Sequence, residues 1–235
     1  MKKLTLKAIR IIGVTVTLTL IFVLALICFL PDKTVSIVSG ESYAPVYKGS
    51  EEKPQVCLNF NVYENTEIVN GILDVLAKYS VKATFFVGGC WADDNNDTLK
   101  RIVSEGHVLA NHGYFHKNHK KLSEEENFSE IKNNHELVFA ITGYKMNLFA
   151  PPSGAYSKIT LKTAEKLGYR TIMWSKDTID WRDNDVDLVY KRATEIQNGD
   201  FILMHPKAHT LKALPKILDF YKEKGVAVVT VDACI

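Results

Sequence analysis

From Pro54 onward the chain alternates between short runs of consecutive apolar residues and longer stretches whose apolar residues recur every three or four positions. Val56–Phe60 is the first such run and reads as a buried strand. Ile68, Ile72, Val75, Leu76 and Tyr79 then share one helical face. Val81–Val87, rich in β-branched and aromatic residues, reads as a second strand. Leu99, Ile102 and Val103 lie at helical spacing within the polar stretch Asp93–Glu105, which Gly106 ends. His107–Asn111 is a short third strand. Ser123 and Glu126 have capping-box spacing and open a long helix that Gly143 closes. Leu148–Ala150 is strand-like and runs into Pro151-Pro152. A helix over Lys158–Leu167 with Gly168 as its cap, a strand at Tyr169–Ser175 and a weakly patterned helix near Asp187–Ile196 follow. Last come a strand at Phe201–His205, a helix carrying Leu211, Leu214, Ile217, Leu218 and Tyr221, and a strand at Val226–Val231. About seven β/α units in sequence imply a parallel sheet, closed as a barrel or doubly wound, with function at the carboxyl ends of its strands.

The region before Pro54 has a different character. Ile11–Leu30 carries no charge and is long enough, at about twenty residues, to cross a hydrocarbon core. Lys2, Lys3, Lys7 and Arg10 precede it and favour the cytoplasmic side. The expected order is a cytoplasmic basic segment (1–10), a single transmembrane anchor (11–30), a polar stalk (31–53) and an extracytoplasmic domain (54–235). A cleaved signal peptide is the rival reading of the same run; its length and the lack of an A-x-A site favour an anchor. The net charge of +2 hides this asymmetry: without those four cations, 25 basic face 27 acidic residues. A slightly acidic domain offers no electrostatic footprint for nucleic acid. Cys28 lies in the apolar run. Cys57, Cys90 and Cys234 form no CxxC pair, so a zinc–thiolate site is not indicated. Cys57 and Cys90 are read as buried free thiols, with a disulfide between them as the alternative outside the cell.

The polar residues that break the apolar pattern collect at predicted strand ends. Asn61 follows the first strand, His112 the third, Pro151-Pro152-Ser153-Gly154 the fourth, Asp177, Asp180 and Trp181 the fifth, and His205 ends the sixth. Five such coincidences point to one shared site. The spacing of His112 and His116 puts two imidazoles on one face of a helix or helical turn, as a divalent metal requires, although such pairs are commonly plain surface residues and His119 lies close by. His205 reads either as a satisfied core histidine or as a general acid. Asp177 and Asp180 read as loop caps or, with Trp181 alongside, as the wall of a sugar site. The Pro-Pro-Ser-Gly stretch reads as a turn that also shapes a groove.

Together these stretches resemble the polysaccharide deacetylase family, the NodB-homology or carbohydrate esterase family 4 domain, over about Pro54 to Ala233. Val81–Val87 is similar to the family's second strand, and Glu105–His112 to its third, leading into an H-x-x-x-H metal motif. Phe149–Gly154 is similar to R-P-P-x-G, Asp177–Trp181 to D-x-x-D-W and Ile202–His205 to the final L-x-H. The resemblance implies a distorted (β/α)7 barrel that binds zinc or a similar divalent metal and removes N-acetyl groups from an amino-sugar glycan, peptidoglycan or chitin-like. It implies His112 and His116 as metal ligands, His205 as general acid oriented by Asp180 or Asp177, and Pro152, Gly154 and Trp181 as groove residues. The first motif departs from T-F-D-D-G: Asn59-Phe60-Asn61-Val62-Tyr63 puts Asn61 at the general-base position and Val62 at the third-ligand position. An amide has no useful proton-accepting pKa and an isopropyl group binds no metal. Ala150 stands where the family has the arginine that tethers the base, and Gly113 where it has Ser or Thr. This combination is most similar to a sporulation-associated branch of the family. Two functions follow: a metal-dependent de-N-acetylase with an impaired site, in which Glu64 or a substrate group supplies the missing base, or an inactive glycan-binding or scaffold protein on the same fold.

Overall fold

The computed structural model describes Tyr43–Ile235, together with Thr15, Leu18 and Thr19. Most of the Ile11–Leu30 run and the first part of the expected stalk lie outside the described residues. Among the described residues no helix is long and apolar enough to cross a membrane.

Eight strands and eight α-helices alternate along the folded unit. They are β1 (Gln55–Val62), α1 (Thr66–Lys78), β2 (Thr84–Val87), α2 (Gly89–Asp94), α3 (Asn96–Ser104), β3 (Val108–Asn111), α4 (Glu124–Thr142), β4 (Leu148–Phe149), α5 (Lys158–Lys166), β5 (Arg170–Thr171), β6 (Lys176–Asp177), α6 (Val186–Thr194), β7 (Phe201–Met204), α7 (Ala208–Glu223), β8 (Ala227–Val229) and α8 (Val231–Cys234). All pairs between these strands are parallel, in the order β5-β4-β3-β2-β1-β7-β6, with β8 pairing the first half of β1. The predicted capping box is present: Ser123 Oγ accepts from Glu126 N, and Glu126 reaches back to Ser123 N. Gly143 ends that helix at φ 71, a conformation glycine adopts without penalty.

One expected strand is replaced by two. Tyr169–Ser175 reads as a continuous strand, yet β5 stops at Thr171 and pairs with β4, whereas β6 starts at Lys176 and pairs with β7. Between them other partners take over the backbone. Val46 N donates to Thr171 O and Met173 N to Val46 O, while the Ser175 hydroxyl accepts from Phe201 N and donates to Asp200. β5 and β6 are the two edges of the sheet. Laid flat, seven strands would hold those edges about 29 Å apart at ~4.8 Å per neighbour. The five peptide steps from Thr171 to Lys176 reach about 18 Å at most. The sheet therefore curls, giving a parallel half-barrel consistent with the expected distorted (β/α)7 barrel.

The alternation of β1 separates two cores. Val56, Leu58, Phe60 and Val62 belong to the large cluster beneath the helices, with Val69, Ile72, Trp91 and Ile217. Cys57 belongs to a smaller cluster inside the curl, with Phe86, Ala110, Leu148, Ala150, Ile172, Phe201 and Cys234. Asn59 and Asn61 alternate with the outward set and so share the inner face with Cys57. Cys57 lies near the start of the sheet, beside Cys234, whereas Cys90 follows β2 at its far end. The structure holds both as free thiols, without the alternative Cys57–Cys90 disulfide.

The compact unit begins at Tyr43, so it takes in residues 43–53, which were expected to belong to the stalk. Val46 bridges Ile172 in parallel and Lys48 bridges Asp200 antiparallel, so this segment lies along the seam between the two edges. Gly49 N donates to Gly199 O and Ser50 N to Cys234 O. A Cβ on Gly49 would stand 2.1 Å from Cys234 Sγ and 2.8 Å from its carbonyl oxygen. Overpacking of this kind costs about 1–3 kcal/mol. Gly49→Ala is therefore expected to lower urea-denaturation stability by that amount, and an unchanged midpoint would show that the segment is not docked.

His107 yields a pH dependence at the opposite end of the sheet from the strand-end polar residues. Its ring is buried and Nδ1 accepts from Ala83 N at 3.1 Å, so Nε2 carries the hydrogen. Burial, and secondarily Lys82, pushes its pKa down to about 4. A histidine whose folded pKa lies below its unfolded value contributes stability that is complete above about pH 6.5 and is lost as pH falls toward 4. Urea midpoints measured between pH 7 and pH 4 should fall more steeply in the wild type than in His107→Gln, which keeps an acceptor for Ala83 N. Parallel slopes would overturn the assignment.

Candidate functional site

A cleft of about 560 Å³ opens at the carboxyl ends of β1, β3, β6 and β7, lined in part by Asn61, His112, His116, Trp181 and His205. The strand-end residues singled out from the sequence thus converge. Asn61 sits at the end of β1, buried and facing the inside of the curl. Val62 does not line the cleft: its side chain is fully buried in the outer core. The position expected to hold a third metal ligand is therefore apolar and turned outward. The next residue, Tyr63, does line the cleft. Its ring packs 4.8 Å from His116, in space left by Gly88, where a Cβ would meet Tyr63 Cδ2 at 2.2 Å.

His112 and His116 meet in a tight loop, with Gly113 at φ 71 and His116 at φ 55 turning the chain back on itself. Their ring centroids are 5.1 Å apart. His112 Nδ1 donates to Ala150 O at 2.8 Å, which leaves the lone pair on Nε2. Burial, then the neighbouring His116, pushes the His112 pKa down to about 3, and burial lowers that of His116 as well. Both are neutral imidazoles near neutral pH, the form that binds a metal. A single divalent ion would find two imidazoles here. Among the described residues no group of three or more His, Cys, Asp or Glu is arranged to hold one. The residues present fit a metal only in part, because a catalytic zinc ordinarily has three protein ligands. Glu64, the candidate replacement, also lines the cleft, but its carboxylate is paired with the Lys207 ammonium.

The histidine loop is braced from below by polar residues on the inner face of α4. Glu130 Oε2 accepts from Tyr114 N at 3.0 Å and Phe115 N at 2.8 Å, and Oε1 lies 3.3 Å from Lys117 Nζ. Asn134 donates to Val87 O and Gly113 O, and Asn111 Oδ1 accepts from Gly113 N. His119 is not part of the cleft: it is buried, with Nδ1 donating to Asn127. Its Nε2 lies 2.9 Å from where a Cβ on Gly113 would be, so the Gly113 position has no room for Ser or Thr. The sequence carried a signal for this brace: Asn127, Glu130 and Asn134 recur at core-face spacing on the helix, where polar residues need partners.

The opposite wall is built around Asp180, which is fully buried. Its Oδ1 accepts from His205 Nδ1, and its Oδ2 from His205 N and Thr210 Oγ1, all at 2.7 Å. Its carbonyl accepts from His209 Nε2. Asp180, and not Asp177, orients His205. Asp177 lines the cleft and accepts from Ile179 N. Arg192 ties Thr178 O to Asp183 and holds the loop shut from outside. Trp181 lies at the rim, 54% exposed. On the third wall it is Ser153 that lines the cleft; Pro152 and Gly154, expected from the sequence as groove residues, flank it and do not themselves line it. Gly154 is required because Trp174 Cη2 would lie 2.7 Å from its Cβ. Thr210, His209, Trp174, Lys207 and Arg192 were not evident beforehand, because each depends on which helix start or strand end packs beside the loop.

Comparisons with known proteins agree with this geometry. A family model, polysaccharide deacetylase, matches residues 48–172, taking in the Asn59–Tyr63, His112–His116 and Phe149–Gly154 stretches. YlxY of Bacillus subtilis is 36% identical over 80% of this chain; the match spans 59% of YlxY, less than two thirds of its length. A peptidoglycan-N-acetylglucosamine deacetylase of Bacillus cereus is 35% identical over 81% of this chain and 71% of its own. The crystal structure of BA3943, a CE4 family pseudoenzyme from Bacillus anthracis, superposes with a TM-score of 0.80 at 36% identity, covering 82% of this chain and 69% of that one. A BA3943 mutant with restored enzymatic activity gives the same TM-score at 35% identity, covering 82% and 71%.

The brace under the histidine loop gives a direct test. Glu130→Ala leaves Tyr114 N and Phe115 N without their acceptor. A buried polar group left unpaired costs about 1–3 kcal/mol, so the urea-denaturation stability should fall by at least that much, with most of it kept in Glu130→Gln. A loss below about 0.5 kcal/mol, the usual span of a surface substitution, would show that the loop is held by other means.

Proposed function

The chain belongs to the polysaccharide deacetylase family, and from that premise we propose that its cleft binds an amino-sugar glycan of the peptidoglycan type and carries out N-deacetylation with an impaired site. The observation that carries this reading is the intact Asp180–His205 pair beside Trp181 and His112 in one cleft. Trp181 offers an apolar face on which a sugar ring can stack. Asp180 fixes the His205 tautomer, so the nitrogen turned away from Asp180 is the one that exchanges a proton with the leaving amine. His112 and His116 are the residues that would hold a divalent metal, whose chemistry in such a site is activation of water and polarisation of a carbonyl. Asn61 supplies no base, and Val62 no ligand. Ile11–Leu30 serves in this reading as an anchor that keeps the domain outside the membrane, where such a glycan lies.

The second reading, glycan binding without turnover, is favoured by the outward burial of Val62 and by likeness to a pseudoenzyme. Acetate release from chitotetraose and from peptidoglycan separates the two. The wild type is expected to turn over slowly or at background. A general base contributes about 10²–10⁴-fold, so Asn61→Asp with Val62→Asp should raise turnover into that range, with most of the gain already present in Asn61→Asp because side chain 62 faces the outer core. Val62→Asp alone places a carboxylate in an apolar cluster that faces away from the histidines, so it should lower Tm with or without zinc, while zinc leaves the wild-type Tm nearly unchanged. A wild type as fast as the double variant would show that the impaired-site reading is wrong.

A further inference from the structure

The cleft contains an ion pair that neither the hydrolytic chemistry nor the scaffold uses. Lys207 Nζ is paired with Glu64 Oε1, and both residues line the cleft. Glu64 lies on the loop after β1, whereas Lys207 follows β7 two residues beyond His205. The partners differ in how they are held. Lys207 N donates to His205 O at 2.8 Å, and its carbonyl receives Leu211 N in the first turn of α7. Its side chain is 28% exposed, and that of Glu64 53%. Asn65, at φ 59, donates to Pro206 O at 3.0 Å and docks the two loops independently of the charges. The cation is thus the sheltered member, the carboxylate the free one, and the pair is not needed to join the loops. A half-exposed ion pair contributes little net stability, so another carboxylate can take Glu64's place at small cost.

We propose that Lys207 is a specificity residue that recognises a carboxylate on the bound sugar, with Glu64 occupying its ammonium group until the ligand arrives. The ligand is then an acidic amino-sugar glycan, one bearing a carboxylate such as the lactyl ether of N-acetylmuramic acid, and not a uniformly neutral chitin-like chain. The inference rests on the glycan-cleft reading above.

Calorimetry on the full-length chain in detergent, at low salt, tests it with two probes: chitotetraose and a peptide-free tetrasaccharide alternating N-acetylglucosamine and N-acetylmuramic acid. A partly exposed charge pair corresponds to a preference of about fivefold, so the acidic probe should bind that much more tightly, and added salt should erode the difference. Lys207→Met should bring the ratio of the two affinities close to one. Glu64→Gln should raise the ratio above that of the wild type, because the competing carboxylate is gone. Equal binding by the wild type, or a preference that persists in Lys207→Met, overturns the proposal. If chitotetraose binds and Trp181→Ala abolishes that binding, equal affinities overturn this inference alone. If neither probe binds, the glycan-cleft reading falls with it.

Discussion

The rest of the domain depends on one covalent constraint: the chain crosses from one edge of the sheet to the other within the short step from Thr171 to Lys176. That step is too short to connect the edges of a flat sheet, so the sheet must curl. Curling gives the strands an inside, and the alternation of β1 then assigns Val56, Leu58, Phe60 and Val62 to the helix-packed exterior and Cys57, Asn59 and Asn61 to the interior. Curling also brings the loops after β1, β3, β6 and β7 around one opening. The segment from Tyr43 to Ser50 lies on the seam that remains and takes up backbone groups of Thr171, Met173 and Gly199. The open edges, which would otherwise present unpaired N–H and C=O groups, are partly covered by it.

Around that opening the two walls are built on different principles. The Asp180 wall is a satisfied polar cluster: each carboxylate oxygen has a donor, and Thr210 and His209 at the start of α7 hold the residue from behind. The histidine wall is a loop turned by Gly113 and His116 at positive φ, strained at His116, and held by the buried carboxylate of Glu130 and the amides of Asn111 and Asn134. Buried polar groups of this kind are costly unless satisfied, and once satisfied they select one arrangement. Gly113 belongs to this arrangement, since His119 occupies the space where a side chain would project.

The departures from the family's pattern fit one another chemically. Ala150 lies in the apolar cluster inside the curl, where an arginine would be a buried cation in need of an anion. Asn61 is neutral and needs no such tether. Val62 packs outward with the helices instead of toward the histidines. The residues at the base, tether and third-ligand positions all depart from the family pattern, while the His205–Asp180 pair keeps full hydrogen-bonded geometry. In the proposed reading, what is left is a cleft that holds a sugar and moves a proton at His205.

Much of this was legible in the sequence, because it is decided by short-range rules. The β/α alternation, the Ser123–Glu126 cap, the Gly143 stop and the gathering of Asn61, His112, Asp180, Trp181 and His205 at strand ends all follow from periodicity, capping and the placement of parallel-sheet sites. Tertiary structure decided what depends on partners distant in the chain. Tyr169–Ser175 has the composition of a single strand, but Val46 pairs with Thr171 and Met173, and Ser175 turns to Phe201, so the strand ends at Thr171 and the next begins at Lys176. Tyr43–Ser50 carries no periodic pattern because its partners are backbone groups of Thr171, Met173, Gly199 and Cys234, which any side chain permits. The choice of Asp180 over Asp177 depended on α7 bringing Thr210 alongside. The outward turn of Val62 and the pairing of Glu64 with Lys207 were likewise settled only by the pleat of β1 and the closeness of the β1 and β7 loops. The sequence alone determines which chemical groups the site contains; which of them face one another depends on how the sheet curls.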